Sequence, residues 1–141
     1  MILEYAKIRA DVVDPERANP SDAGLDVYFN PAVGHQVWIE PGESARLETG
    51  VAFGVPHGYM LQVMNRSSVA AKRNLVVGAH VVDSGYAGEV FVDMHNIGKE
   101  GQMINSGDKI AQVVLVPVVH FRPYEADEED LYDEYSITIS D

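Results

Sequence analysis

Four short segments carry residue types that could do chemistry. The run Gly78-Ala79-His80-Val81-Val82-Asp83-Ser84-Gly85-Tyr86-Ala87-Gly88-Glu89-Val90 sets two strand-like pieces around an Asp-Ser-Gly-Tyr connection. That pattern predicts a β-hairpin with Asp83 and Tyr86 near its tip. A carboxylate there can take a proton from water, as a general base must. A ring beside it can stack on a sugar or a base. By themselves the same two residues could equally cap a turn and cover core. Arg66-Ser67-Ser68 stands directly before a short helical stretch. A serine at a helix start offers a hydroxyl and free backbone N–H groups, which suit phosphate, and Arg66 adds a bidentate donor. An ordinary cap beside a surface arginine is the alternative. Gln112 lies inside an apolar run, where a buried amide needs either backbone or ligand partners. Asp26 opens a strand after the Asp22-Ala23-Gly24 turn, a weak signal taken alone.

Other chemistries find little support. The five histidines show no metal-ligand spacing, and there is no Gly-rich phosphate loop. The chain has no cysteine, which removes thiolate metal sites and disulfides and leads us to expect an intracellular, cytoplasmic protein.

The elements that must hold these residues read mostly as strands. Residues 25–29, 37–39, 45–55, 59–64, 89–95 and 110–116 are β-rich and are separated by Gly, Pro and Asn. The nearly continuous apolar run 110–116 predicts a strand buried on both faces. Residues 67–73 predict one short helix of about two turns. Many short strands with regular turn signals imply a sandwich, jelly roll or barrel. No linker divides the body, and no apolar run is long enough to cross a membrane.

Charge divides the chain more clearly than hydropathy does. The net charge of −12 argues against a nucleic-acid partner, which needs a basic face. Eight acids and no Lys or Arg fall between residues 125 and 141, leaving 14 acids against 10 bases in the rest. We therefore divide the chain into a β-barrel domain, 1–124, and an acidic tail, 125–141. The tail reads as a solvated end or as an arm that docks elsewhere.

Taken in order, the four segments resemble the motifs of the dUTP pyrophosphatase (dUTPase) family. Ala23-Gly24-Leu25-Asp26 is similar to its first motif, and Arg66-Ser67-Ser68 to its second. His80-Val81-Val82-Asp83-Ser84-Gly85-Tyr86-Ala87-Gly88 is similar to the third, and Gly107-Asp108-Lys109-Ile110-Ala111-Gln112 matches the fourth throughout. The resemblance implies an all-β, jelly-roll-like distorted barrel and a homotrimer with active sites shared between subunits. It implies hydrolysis of dUTP to dUMP and pyrophosphate, within deoxyuridine nucleotide metabolism. Asp83 would activate water, and Tyr86 would pack under the deoxyribose. Arg66, Ser67, Ser68 and Gln112 would hold phosphates, and Asp26 would support that region. Backbone groups around Val81, Val82 and Asp83, and from Val92 through Asp93 to Met94, would read uracil. Mg²⁺ would be held by the triphosphate and water, with no protein ligand.

Three features depart from that pattern. The family's fifth motif, a Gly-rich Phe-Gly-Ser-Thr-Gly-like arm, has no counterpart in the run ending Ile137-Thr138-Ile139-Ser140-Asp141. Without such an arm an open site with lowered turnover is expected. His80 replaces the usual hairpin glycine, and the related dCTP deaminases often carry Ala-His there. Asp93 aligns with the catalytic glutamate of those deaminases, one methylene shorter. Against them, Ala71 stands where their helix has a second arginine, and Tyr86 follows the dUTPases. A dCTP deaminase or bifunctional enzyme, and a non-catalytic module on the same fold, are the alternatives.

Overall fold

A computed structural model describes residues 1–79 and 81–135. Among the described residues, eleven strands run β1 (Glu4–Lys7), β2 (Leu25–Tyr28), β3 (Gln36–Ile39), β4 (Ser44–Glu48), β5 (Val51–Gly54), β6 (Tyr59–Met64), β7 (Leu75–Val77), β8 (Val81–Asp83), β9 (Phe91–Asn96), β10 (Gln102–Asn105) and β11 (Lys109–Pro117). Helix α1 (Ser67–Arg73) sits between β6 and β7, and α2 (Glu128–Tyr135) follows β11. The strands form sheets β2-β11-β6-β8 and β4-β9-β7, plus the pairs β1-β5 and β10-β3, all antiparallel. This is the all-β, jelly-roll-like architecture that the family resemblance implies, one of the three that the strand pattern leaves open.

The inward positions of the two larger sheets make the core. Leu47, Leu61, Leu75, Val92, Met94 and Ala111 are fully buried. Along β9, Val92, Met94 and Asn96 point inward, while Phe91, Asp93 and His95 are half-buried on the opposite face. That period of two is what lets one strand serve both core and site. Buried polar groups are satisfied from within. Asn30 donates to the Thr49 carbonyl at 2.8 Å, and Asn96 donates to the carbonyls of Ile39 and Glu100 at 2.9 and 2.8 Å.

Several sequence expectations hold and others are corrected. Helix α1 spans the expected residues, with Val69 buried and Asn74 closing it in the left-handed region. The expected continuous strand 45–55 is two strands, because Gly50 takes φ +72° between them. The run 110–116 is central in its sheet, but only Ile110, Ala111 and Val113 are fully buried; Val114, Leu115 and Val116 are half-buried in the single chain. The acidic tail contains a second helix, α2, beyond the single one expected. Glu128, Glu129 and Asp130 fill its first turn, where negative charge meets the positive helix end.

The expected hairpin over 78–90 is also corrected. Among the described residues its two strand-like pieces do not pair with each other. β7 pairs with β9, while β8 crosses to β6, setting Asp83 opposite Met60. Apolar character on both arms predicted strands, but partner choice depends on contacts far away in sequence.

Candidate active site

The loop between β7 and β9 opens a cleft of about 310 Å³, lined by Arg46, Ala79, Val81, Val82, Asp83, Tyr86, Glu89, Val90, Phe91 and Asp93. A tight turn builds its tip. The Tyr86 N–H donates to the Asp83 carbonyl at 3.0 Å. The Tyr86 hydroxyl reaches on to the Glu89 carbonyl at 2.6 Å, which lays the ring across the loop. Asp83 is exposed at the end of β8. A solvent-facing carboxylate beside an aromatic plate can accept a proton from water next to a stacked ring.

The cleft wall is charged, yet most of its charge is engaged. Arg9 meets Glu89 at 3.4 Å, and the Gly50 N–H donates to Glu89 at 3.0 Å. Asp93 is 3.0 Å from His95 Nε2. Arg46 stacks its guanidinium 3.7 Å from the centroid of the Phe91 ring.

A second cleft, of about 250 Å³, is lined by Ala18, Asn19, Asp22, Asp26, Arg66, Ser67, Ser68 and Gln112. Asp26 is its organising group. Its Oδ1 accepts from Arg66 Nε at 3.0 Å, and its Oδ2 lies 3.4 Å from Lys109 Nζ. Bonding through Nε leaves the two terminal nitrogens of Arg66 for an anion. Arg66 itself holds the N-cap position and makes no side-chain cap. Ser67 and Ser68 therefore form the exposed first turn, with early N–H groups that have no helical partner. Gln112 donates to the Asn65 carbonyl at 3.1 Å, which binds β11 to the α1 entrance. Gly24 admits this packing: a Cβ there would lie 2.8 Å from the Val113 carbonyl and 3.0 Å from Gln112 Oε1.

The residues singled out in sequence thus fall into two groups. Val81, Val82, Asp83, Tyr86 and Asp93 share the first cleft; Asp26, Arg66, Ser67, Ser68 and Gln112 share the second. Among the described residues none lines both. Met94 lies elsewhere: its side chain is fully buried in the core. Backbone alternation also separates it from the cleft. Val90 bonds toward Thr49 and Val51, while the Asp93 carbonyl accepts from the Gly78 N–H at 2.7 Å on the opposite side. By the period of two, Phe91 and Asp93 present backbone to the cleft side, and Val92 and Met94 to β4. Phe91 and Arg46 were missed in sequence. The alternation along residues 89–95 could have found Phe91, whereas Arg46 enters only through the β4·β9 pairing. The expectations for His80 and for residues 137–141 lie outside the described residues.

The donor set bears on a divalent ion. No group of three or more His, Asp or Glu side chains suited to a metal occurs among the described residues. Both oxygens of Asp26 are committed to cations.

The jelly-roll-like barrel carries a carboxylate–tyrosine cleft set apart from an arginine–serine cleft, groups suited to a nucleotide hydrolase. The dUTPase family model matches residues 10–136, running into the acidic tail. The chain belongs to the dUTPase family. Among its relatives, a deoxyuridine 5'-triphosphate nucleotidohydrolase of Anaplasma marginale is 40% identical over 106 residues, 74% of this chain and 71% of the relative. One from Desulfitobacterium hafniense is 38% identical over 133 residues, 91% of this chain and 87% of the relative. The solved dUTPase from phage phi11 of S. aureus superposes with a TM-score of 0.83 at 27% identity, covering 91% of this chain and 97% of that one. A mutant of that phage enzyme coordinates a structural Mg(II) ion; it superposes with a TM-score of 0.81 at 27% identity over 91% and 98% of the two chains. A mutant Staphylococcus bacteriophage 80alpha dUTPase, solved with dUpNHpp, superposes with a TM-score of 0.81 at 25% identity over 90% and 89%.

Proposed function

We propose that this protein hydrolyses dUTP to dUMP and pyrophosphate, at sites that pair the Asp83 cleft of one subunit with the Arg66 cleft of a neighbour in a homotrimer. The observation that carries the reading is the division of the site. One chain holds a carboxylate–tyrosine cleft and a separate phosphate-type cleft, each built from motif residues, with no described residue common to both. A nucleoside triphosphate needs both chemistries at once, and a neighbouring copy supplies the missing half.

Asp83 takes the proton of the water that attacks the α-phosphorus. The Tyr86 ring supports the deoxyribose, and the backbone of the 81–83 strand and of β9 reads the uracil edge. Arg66, the first-turn N–H groups at Ser67 and Ser68, and Gln112 hold the phosphates. Asp26 positions Arg66 and Lys109 and keeps their charge directed at that cleft. Mg²⁺, bound through the triphosphate and water, would neutralise charge on the phosphoryl oxygens. The substrate is an intracellular nucleotide, so a cytoplasmic location follows from this reading.

A second reading, deamination of dCTP, draws on one observation: Asp93 lines the Asp83 cleft with His95 on its carboxylate. One assay separates the readings. The protein is incubated with Mg²⁺ and each deoxynucleoside triphosphate in turn, and the products are resolved. Pyrophosphate and dUMP from dUTP alone is the expected result. Formation of dUTP or dUMP from dCTP would establish the second reading. Tight dUTP binding without turnover would mark a non-catalytic module.

A further inference from the structure

Hydrolysis at the α-phosphorus gives no task to Arg46, yet Arg46 lines the Asp83 cleft. It stands directly across the β4·β9 ladder from Asp93. Opposite charges in that relation normally attract each other. Here they hold different partners: Asp93 is on His95, and the Arg46 guanidinium carbon sits 3.7 Å from the centroid of the Phe91 ring. A guanidinium held over a ring face keeps its N–H donors in its own plane, clear of the ring. Among the described residues no carboxylate of the wall pairs with it: Glu89 is held by Arg9 and the Gly50 N–H, and Asp83 forms no ion pair with Arg46. The planar cation is therefore fixed beside the cleft with donors to spare.

Resting on the proposed dUTP reading, we infer that Arg46 is a specificity-determining residue. Its guanidinium donates to a ring carbonyl of the pyrimidine and favours a 4-keto over a 4-amino base. The argument is one of complementarity. A fixed donor meets the O4 acceptor of uracil, but meets a second donor in the amino group of cytosine. A site built to hydrogen-bond one group discriminates against an analogue that lacks it. The contact with the Phe91 ring holds the guanidinium beside the cleft.

The test measures kcat and KM for dUTP, and dissociation constants for dUMP and dCMP, in wild type, Arg46→Ala and Arg46→Lys, with Asp83→Asn alongside. Arg46→Ala is expected to raise KM and weaken dUMP binding about tenfold or more, in keeping with loss of one charged hydrogen bond. Its kcat should stay within about twofold, and its dCMP binding should not weaken. Arg46→Lys should recover part of the loss. Arg46→Met retains bulk without a donor, and takes the place of the alanine variant if that fails to fold. Unchanged KM and unchanged dUMP preference in a folded variant would overturn the inference. So would a fall in kcat alone, as in Asp83→Asn, because that assigns Arg46 to the chemical step. A wild type that neither binds nor hydrolyses uridine nucleotides defeats the underlying dUTP reading, a distinct outcome from failure of Arg46 alone.

Discussion

Asp83 carries the chemical claim at the scale of single residues. Asp83→Asn removes the base while preserving shape. Turnover should fall by about 10²–10⁴-fold with dUMP binding retained. Steady-state kinetics beside a binding isotherm check this, and unchanged turnover would remove Asp83 from the mechanism. Asp26 carries a structural claim. Its side chain is 12% exposed and holds two cations, so Asp26→Ala should cost about 1–3 kcal/mol of stability and raise KM for dUTP. A thermal melt matching wild type would show that Arg66 and Lys109 find other partners. Gly24→Ala forces a methyl against the Val113 carbonyl, which cannot swing aside. A loss of about 1–3 kcal/mol in denaturant unfolding is expected. Much of this residue-level picture was legible in sequence, because motif residues sit close to one another along the chain. Arg46 was not, since β4 meets the site only through pairing with β9.

Secondary-structure elements differ in how plainly their sequences announce them. Helix α1 was legible: its helix-forming run ends at Asn74, a residue suited to the left-handed cap. β1 was not, because all four of its side chains are exposed and give no alternation. The 78–90 loop misled because two apolar arms look the same whether they pair together or separately. β1 also carries a pH prediction. Asp14 accepts from Lys7 Nζ at 2.8 Å and from the Tyr5 hydroxyl at 2.6 Å. The Lys7 bond, then the Tyr5 bond, hold the Asp14 carboxyl below its ordinary 3.8. Lys7 is in turn raised above 10.5 by its bond to Asp14. A depressed acid contributes stability above its ordinary value and loses it as pH falls through its folded value. A raised lysine contributes fully below 10.5 and loses it as pH rises further. Amide signals of β1 should therefore stay constant through neutral pH and shift at both extremes. Asp14→Asn should abolish the acid-side shift, and an unchanged acid limb would contradict this pairing.

The whole molecule leaves much apolar surface without a partner in one chain. Val119, Phe121 and Tyr124 are 82%, 81% and 86% exposed on the segment between β11 and α2. Exposed apolar side chains of this kind fit the proposed homotrimer. Sedimentation equilibrium should return the mass of three chains, and a monomer mass at micromolar protein would remove the shared site. Sequence made the barrel and its motif order legible but could not show that the two clefts lie apart on one chain, which follows from the final packing. That separation is also what makes the central claim testable. Asp83→Asn and Arg66→Ala should each be nearly inactive alone. When the two are unfolded together and refolded as a mixture, random assortment puts an intact Asp83 beside an intact Arg66 in about a quarter of the sites of a symmetric ring. Recovery of dUTP hydrolysis to about that fraction of wild type is the predicted result. A mixture as inactive as its two components would contradict a site shared between subunits.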